Sequence, residues 1–197
     1  MGLKVSKTSG KLTDAEIQSF AEETYFNPDQ IRHIHKSFKA ISARRDDDGV
    51  IDLEEFSSAL GMEVNELSRQ LFRSFDVNSD GVLNFREFLQ GLSIMVLGSE
   101  KERLRLAFNI YDIDRDGSIS RDELYSLCRS CLSGTSVAMT DETVHKLVDA
   151  ALLSADLDGN GVIDIDEFEQ LTRQQPSLLA SLSFDARHIL GSGGDGK

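Results

Sequence analysis

The stretch Asp112-Ile-Asp-Arg-Asp-Gly-Ser-Ile-Ser-Arg-Asp-Glu123 places carboxylates first, third, fifth and twelfth, a glycine sixth and an isoleucine eighth. The same order returns in Asp76-Val-Asn-Ser-Asp-Gly-Val-Leu-Asn-Phe-Arg-Glu87 and in Asp156-Leu-Asp-Gly-Asn-Gly-Val-Ile-Asp-Ile-Asp-Glu167, with asparagine replacing one acid in each. One acidic turn of this kind is ordinary surface chemistry. Three in register, each between amphipathic stretches, mark a repeat. The segments "LSRQLFRSF", "LRLAFNIY" and "VHKLVDAALLSA" precede the loops, and "REFLQGLSIMVL", "DELYSLCRSCL" and "DEFEQLTRQ" follow them. Their apolar residues fall three to four apart, as a helix with one buried face requires.

The spacing within the loops has a chemical reason. A calcium ion takes about six to eight oxygens at roughly 2.3–2.6 Å, and a short loop can wrap it only if alternate residues aim inward. Gly81, Gly117 and Gly161 stand where the sharp turn needs positive φ. The candidate ligands are Asp76, Asn78, Asp80, the Val82 carbonyl and Glu87 in one loop, and Asp112, Asp114, Asp116, the Ser118 carbonyl and Glu123 in the next. In the last loop they are Asp156, Asp158, Asn160, the Val162 carbonyl and Glu167. The closing glutamates offer two oxygens each. Leu83, Ile119 and Ile163 suit a short strand that pairs one loop with its neighbour. This is the EF-hand pattern, a calcium-binding helix-loop-helix. The fold expected is all-α, with four EF-hand units in two paired lobes, a lead helix and a carboxy-terminal tail segment.

Pairing demands a partner for the loop at 76–87. Counting back from Gly49 puts Ile51 at the strand place and Glu55 at the closing place, but a twelve-residue loop would set Arg44 first. Phe38 lies six residues before Arg44, whereas Phe72 and Phe108 lie four before Asp76 and Asp112. A fourteen-residue loop over 42–55 removes the conflict, with "ARR" bulging outward. Its candidate ligands are Ser42, Asp46, Asp48, Val50, Asp52 and Glu55. The sequence leaves two readings of this loop: a calcium site, or a metal-free scaffold that pairs through Ile51. Three ions are expected, and a fourth is open.

Composition narrows the alternatives. The 34 Asp+Glu against 21 Lys+Arg give a formal charge of −13, which excludes a nucleic-acid surface and favours cation binding. No apolar run reaches the eighteen residues of a membrane span, and no secretory block opens the chain. Cys128 and Cys131 share a helical face with Leu124 and Leu127 and are expected as buried, reduced thiols. His33 and His35 fall on different faces of one helix, which argues against a zinc pair. "GSGGDGK" at 191–197 spells part of a phosphate loop without its strand, its Ser/Thr or its helix. No nucleophile–base pair stands out, and the chain is expected not to be an enzyme.

Four stretches carry a family resemblance: "ETYFNPDQIRHIHKSFKAIS" leading into the long first loop, "LAFNIYDIDRDGSISRDEL", "DETVHKLVDAALLSADLDGNGVIDIDEF" and "QQPSLLASLSF". Over roughly residues 20–190 the chain resembles the calcineurin B-like calcium sensors of plants and some protists. These stand within the wider group holding calcineurin B and the neuronal calcium sensors. The resemblance implies a non-enzymatic sensor that switches on a partner serine/threonine kinase through a short regulatory segment. Calcineurin B instead holds the catalytic subunit of a phosphatase. The kinase sensor is the first expectation and the phosphatase subunit the alternative, towards which two departures lean: the chain ends in "GSGGDGK" rather than the Phe-Pro-Ser-Phe of many plant-type members, and three of its loops are well formed. A calcium buffer is the third possibility.

The opening Met1-Gly2-Leu3-Lys4-Val5-Ser6 matches a myristoylation signal on Gly2, with Lys4, Lys7 and Lys11 ahead of the first acid. Reversible membrane contact of a cytoplasmic protein is the expectation, since one acyl chain anchors only marginally. The leader and lead helix occupy 1–27. The first pair of hands spans 28–97 and the second 98–175, and an apolar tail segment with a flexible end fills 176–197. Ile94, Met95, Val96 and Leu97 are candidates for a groove that takes an amphipathic helix of the partner. Leu178, Leu179, Leu182, Phe184, Ile189 and Leu190 could cover such a groove or pack in the core. Gly2→Ala should move the chain from membrane to soluble fractions on flotation, and unchanged partitioning would remove the lipid reading.

Overall fold

The computed structural model describes residues 11–44, 48–133 and 139–174. Gly2, Asp46, the connection over 134–138 and the tail from 175 lie outside them. The described residues are mostly helical, and their elements follow the repeat. A lead helix α1 (Asp14–Glu23) precedes α2 (Pro28–Ser42), α3 (Leu53–Ala59), α4 (Glu66–Phe75) and α5 (Phe85–Leu97). Then come α6 (Glu100–Tyr111), β1 (Ile119–Ser120), α7 (Arg121–Ser133), α8 (Asp141–Ala155), β2 (Val162–Ile163) and α9 (Ile165–Gln174).

The helix starts are chemical. Thr13, Asn27 and Ser99 each accept an N–H from the first turn, while Glu16, Gln30 and Glu102 reach back to the capping residue's own N–H. Each such box satisfies two of the donors that a helix start leaves unpaired. Pro28 sits in the first turn of α2, where its missing N–H costs nothing.

Two compact units form. One runs to Met62 and resumes over Phe75–Gly98; the other holds Glu63–Ser74 and the described residues from Ser99 onward. Helix α4, part of the first pair of hands by sequence, therefore groups almost entirely with the second unit. In the first unit Phe85 is an aromatic hub: Phe20, His35 and Phe38 meet its ring edge-on at 5.2, 4.8 and 5.4 Å between centroids. Helix α1 is tied down by Phe20, by the Arg86 guanidinium lying over the Phe20 ring, by the Arg86–Glu23 ion pair and by the Tyr25 N–H donating to Ser93 Oγ. His33 is exposed and His35 buried, so the two do stand on different faces of α2. Burial holds the His35 imidazole below its usual pKa, with Lys39 adding to the effect. In the second unit Leu104, Ala107, Phe108, Ile119, Ala155, Ile163 and Phe168 form the core.

One expectation fails here. Cys128 is exposed, not buried: the inward face of α7 centres on Glu123 and Leu127, and Cys128 stands one residue, about 100°, past it. Met95 is buried in the first unit while Leu97 is exposed and Ile94 and Val96 are half-buried. The four therefore do not form one open surface in this conformation. An amphipathic helix turns successive residues to different sides, and a run of four consecutive apolar residues cannot share a face.

Helix α5 approaches the Phe75 ring through Gly91: a Cβ built there would lie 2.3 Å from Phe75 Cδ1. Phe75 is fully buried and cannot retreat. Gly91→Ala should lower stability to unfolding by about 1–3 kcal/mol by overpacking, against the small gain expected from replacing a helical glycine; denaturant titration measures the sign.

Candidate metal centre

The sequence folds locally into loops because acidic side chains take up the backbone N–H groups that a tight turn exposes. In the loop over 76–87, Asp76 accepts from Asp80 at 3.2 Å and Gly81 at 2.9 Å. In the loop over 112–123, Asp112 accepts from Asp116 and Gly117, both at 3.1 Å. In the loop over 156–167, Asp156 accepts from Gly159 at 2.8 Å, Asn160 at 3.1 Å and Gly161 at 2.9 Å. The third residues, Asn78, Asp114 and Asp158, each accept the N–H two places on, at 2.8, 3.1 and 3.0 Å. The fifth residues, Asp80, Asp116 and Asn160, accept from Val82, Ser118 and Val162 at 3.1, 2.8 and 2.9 Å.

The closing glutamates Glu87, Glu123 and Glu167 are buried and span their loops. One Glu123 oxygen takes the N–H groups of Ile113 at 2.7 Å and Asp114 at 3.2 Å; the other takes Ser120 at 2.7 Å. Glu167 does the same with Leu157 at 2.7 Å, Asp158 at 3.3 Å and Asp164 at 3.0 Å. Glu87 accepts from Asn78 at 3.3 Å and Asn84 at 3.1 Å. The ninth residues of these three loops do not stand out by ligand spacing alone. Asn84, Ser120 and Asp164 accept the N–H of the closing glutamate at 3.1, 3.3 and 2.8 Å and so start the exit helix. The signal for them is the capping box, N-x-x-E, S-x-x-E and D-x-x-E.

The loops come in couples through the residues two places after their turn glycines. Ile119 pairs with Ile163 and Ser120 with Val162 in an antiparallel ribbon. Ile51 and Leu83 exchange both N–H···O bonds, at 2.9 and 2.8 Å, as an isolated bridge. The first loop therefore holds its structural place. Gly49 takes φ +81°, Asp48 accepts the Val50 N–H at 3.1 Å and Asp52 accepts the Glu55 N–H at 2.8 Å, as in the sibling loops. Glu55 is buried like the other closing glutamates, and its carboxylate takes the Asp52 N–H at 3.2 Å. Arg44 turns away and donates to Ser58 Oγ at 3.0 Å. Ser42 is the last residue of α2, buried, with its hydroxyl donating back to Lys39 O at 3.4 Å. Asp46 is not among the described residues.

The fourth residues carry a feature that spacing did not reveal. Ser79, Arg115 and Gly159 take φ of 58°, 62° and 77°, so each twelve-residue loop has a second left-handed residue besides its glycine. A non-glycine residue there costs roughly 1–2 kcal/mol.

The donor set fits calcium. Carboxylate oxygens of Asp112, Asp114 and Asp116 lie within 4.8 Å of one another, and so do those of Asp156, Asp158 and Glu167. Burial pushes the Asp112 carboxyl above its usual pKa; N–H groups of Gly117 and Arg115 oppose the shift, and the charges of Glu123 and Asp116 add to it. Burial likewise raises Glu87, with Asp80 and Asp76 adding to it. These are hard oxygen clusters short of positive charge, which is what a divalent cation supplies.

The EF-hand domain pair family matches the chain twice, over residues 31–93 and 101–173. A calcineurin B subunit of Candida glabrata is 36% identical over 78% of this chain and 85% of its own length. One from Naegleria gruberi is 33% identical over 85% of this chain and 92% of its own. The human calcineurin B subunit of type 2 is 35% identical, covering 76% and 86%. Replacing the bidentate Glu123 with Gln should remove one calcium from the count by native mass spectrometry; an undiminished count would refute its place in the cage.

Proposed function

This chain belongs to the EF-hand family, in its calcineurin B group, and we propose that it is the calcium-binding regulatory subunit of a calcineurin-type protein phosphatase. The observation that carries the reading is identity of 33–36% to proteins named as calcineurin B subunits over most of both chains. The resemblance to the plant-type sensors, with its lengthened first loop, supports a kinase partner as the competing reading. That reading keeps this one support, whereas the relatives favour the phosphatase.

In this reading the residues of loops 76–87, 112–123 and 156–167 hold one calcium each, and the first loop serves as the scaffold that pairs Ile51 with Leu83. Ser42 turns its hydroxyl back onto its own helix, and among the described residues that open the loop no carboxylate takes the place of Asp76, Asp112 and Asp156. Glu55→Gln should accordingly leave the ion count unchanged. When bound, calcium would supply positive charge among these carboxylates, of which Asp112 and Glu87 are held above their usual pKa by burial and by neighbouring acids. The chain's own part is to link that site to its helices: each closing glutamate is also the third residue of an exit helix. A shift of its carboxylate therefore carries α5, α7 or α9 with it and can open the face that receives an amphipathic partner helix. Met95, buried now, would reach a partner only after such movement of α5. In this reading the catalytic groups belong to the partner. Myristate on Gly2 would add reversible membrane contact from the cytoplasmic side.

A calcium-dependent pull-down from the source organism should recover a phosphatase catalytic chain. Recovery of a serine/threonine kinase instead would overturn the reading in favour of the plant-type sensor. Recovery of neither, with no calcium-dependent binding to a phenyl matrix, would favour a buffer.

A further inference from the structure

Helix α4 enters the loop over 76–87, yet both of its ends are held by the hand over the loop 112–123. At its start the Glu66 N–H donates to Ser130 Oγ of α7 at 2.7 Å. At its end the Arg73 carbonyl accepts from Arg115 Nη2 at 2.8 Å. All four residues belong to the second compact unit. A helix leaves its first N–H and last C=O groups without partners of its own, so both bonds fill positions that need filling. A cation at the carboxyl end also suits the helix dipole.

Arg115 is an unusual residue to give this task. It is the fourth residue of its loop, in the left-handed region at φ 62°, between the candidate ligands Asp114 and Asp116. Its own N–H bonds the carboxylate of Asp112, the first candidate ligand. The loop's conformation thereby sets the point from which its side chain reaches the Arg73 carbonyl. Ser130 rides on α7, the helix that Glu123 starts. Asp76, the first candidate ligand of the other loop, follows directly on Phe75, the last residue of α4.

We infer that α4 couples the calcium sites at 112–123 and 76–87, with Arg115 and Ser130 as the positioning residues. Ordering of the loop at 112–123 fixes Arg115 and sets α7, and the two bonds then set the end of α4 from which Asp76 hangs. The coupling runs equally in reverse, because linkage between two binding sites is reciprocal. The inference rests on both loops taking calcium, and is independent of which enzyme the chain regulates.

The test is a calcium titration of the full chain followed by amide NMR. Gly81 and Gly117, whose N–H groups bond Asp76 and Asp112 at 2.9 and 3.1 Å, report the two loops separately. Glu123→Gln, which disables one loop, should raise the calcium midpoint read at Gly81 by about threefold to tenfold. In an Arg115→Ala or a Ser130→Ala background the same change should move that midpoint by much less. Arg115→Ala is read alongside Ser130→Ala, so that a folding defect in one leaves the other decisive. A Gly81 midpoint that ignores Glu123→Gln, or that moves as far in both backgrounds as in the parent, would overturn the coupling. Absence of any calcium response at Gly81 and Gly117 would instead overturn the calcium assignment beneath it.

Discussion

The carboxylate at the twelfth place of each loop is the constraint on which the hands depend. Glu123 holds the Ile113 and Asp114 N–H groups with one oxygen and the Ser120 N–H with the other, while Ser120 Oγ takes the glutamate's own N–H. Loop entry, strand and exit helix thus converge on a single buried side chain. Its burial is costly for a charge, and the N–H donors around it offset part of that cost. A group in that position has few ways to move without moving its helix. In the function proposed, this is the route by which a local change in charge would turn a helix.

The second constraint is the pairing of loops. Ile51 and Leu83, and Ile119 and Ile163, are almost wholly removed from water while their main chains bond across. Each hand lacks enough surface to bury alone, and the short ribbon closes two of them over one core. That explains why the first loop keeps its glycine, its isoleucine, its capping aspartate and its buried glutamate although its opening residues have changed. The features retained are those that the partner loop and the exit helix need.

Much of this was legible in sequence, for identifiable reasons. The loops could be read because metal geometry allows few spacings, and the pairs Thr13 and Glu16, Asn27 and Gln30, and Ser99 and Glu102 spell the starts of α1, α2 and α6 because capping needs particular side chains at fixed offsets. Pairing at Ile51 followed from the count back from Gly49. Cys128 was misplaced because periodicity shows that a helix has a face but not where its centre lies, and a one-residue shift carries a side chain out of the core. The bonds of Arg115 to Arg73 and of Ser130 to Glu66 were invisible, since they join residues 42 and 64 places apart through geometry that no local pattern encodes. The fourth-place residues were hidden for a different reason: Ser79, Arg115 and Gly159 have nothing in common as side chains, only a backbone conformation.

That last feature makes the three loops unequal in how they assemble. Gly159 and Gly161 let the last loop adopt both left-handed residues without steric resistance, although two flexible residues so close must be immobilised from a wide unfolded ensemble. Ser79 and Arg115 begin from a narrower ensemble but enter a conformation they resist, by roughly 1–2 kcal/mol against the roughly 0.5–1 kcal/mol of extra entropy that a glycine gives up. The balance favours the last loop as the one that closes most readily by itself. The other two are turns that their surroundings must hold shut, and at Arg115 part of that holding comes from a helix belonging to the neighbouring hand.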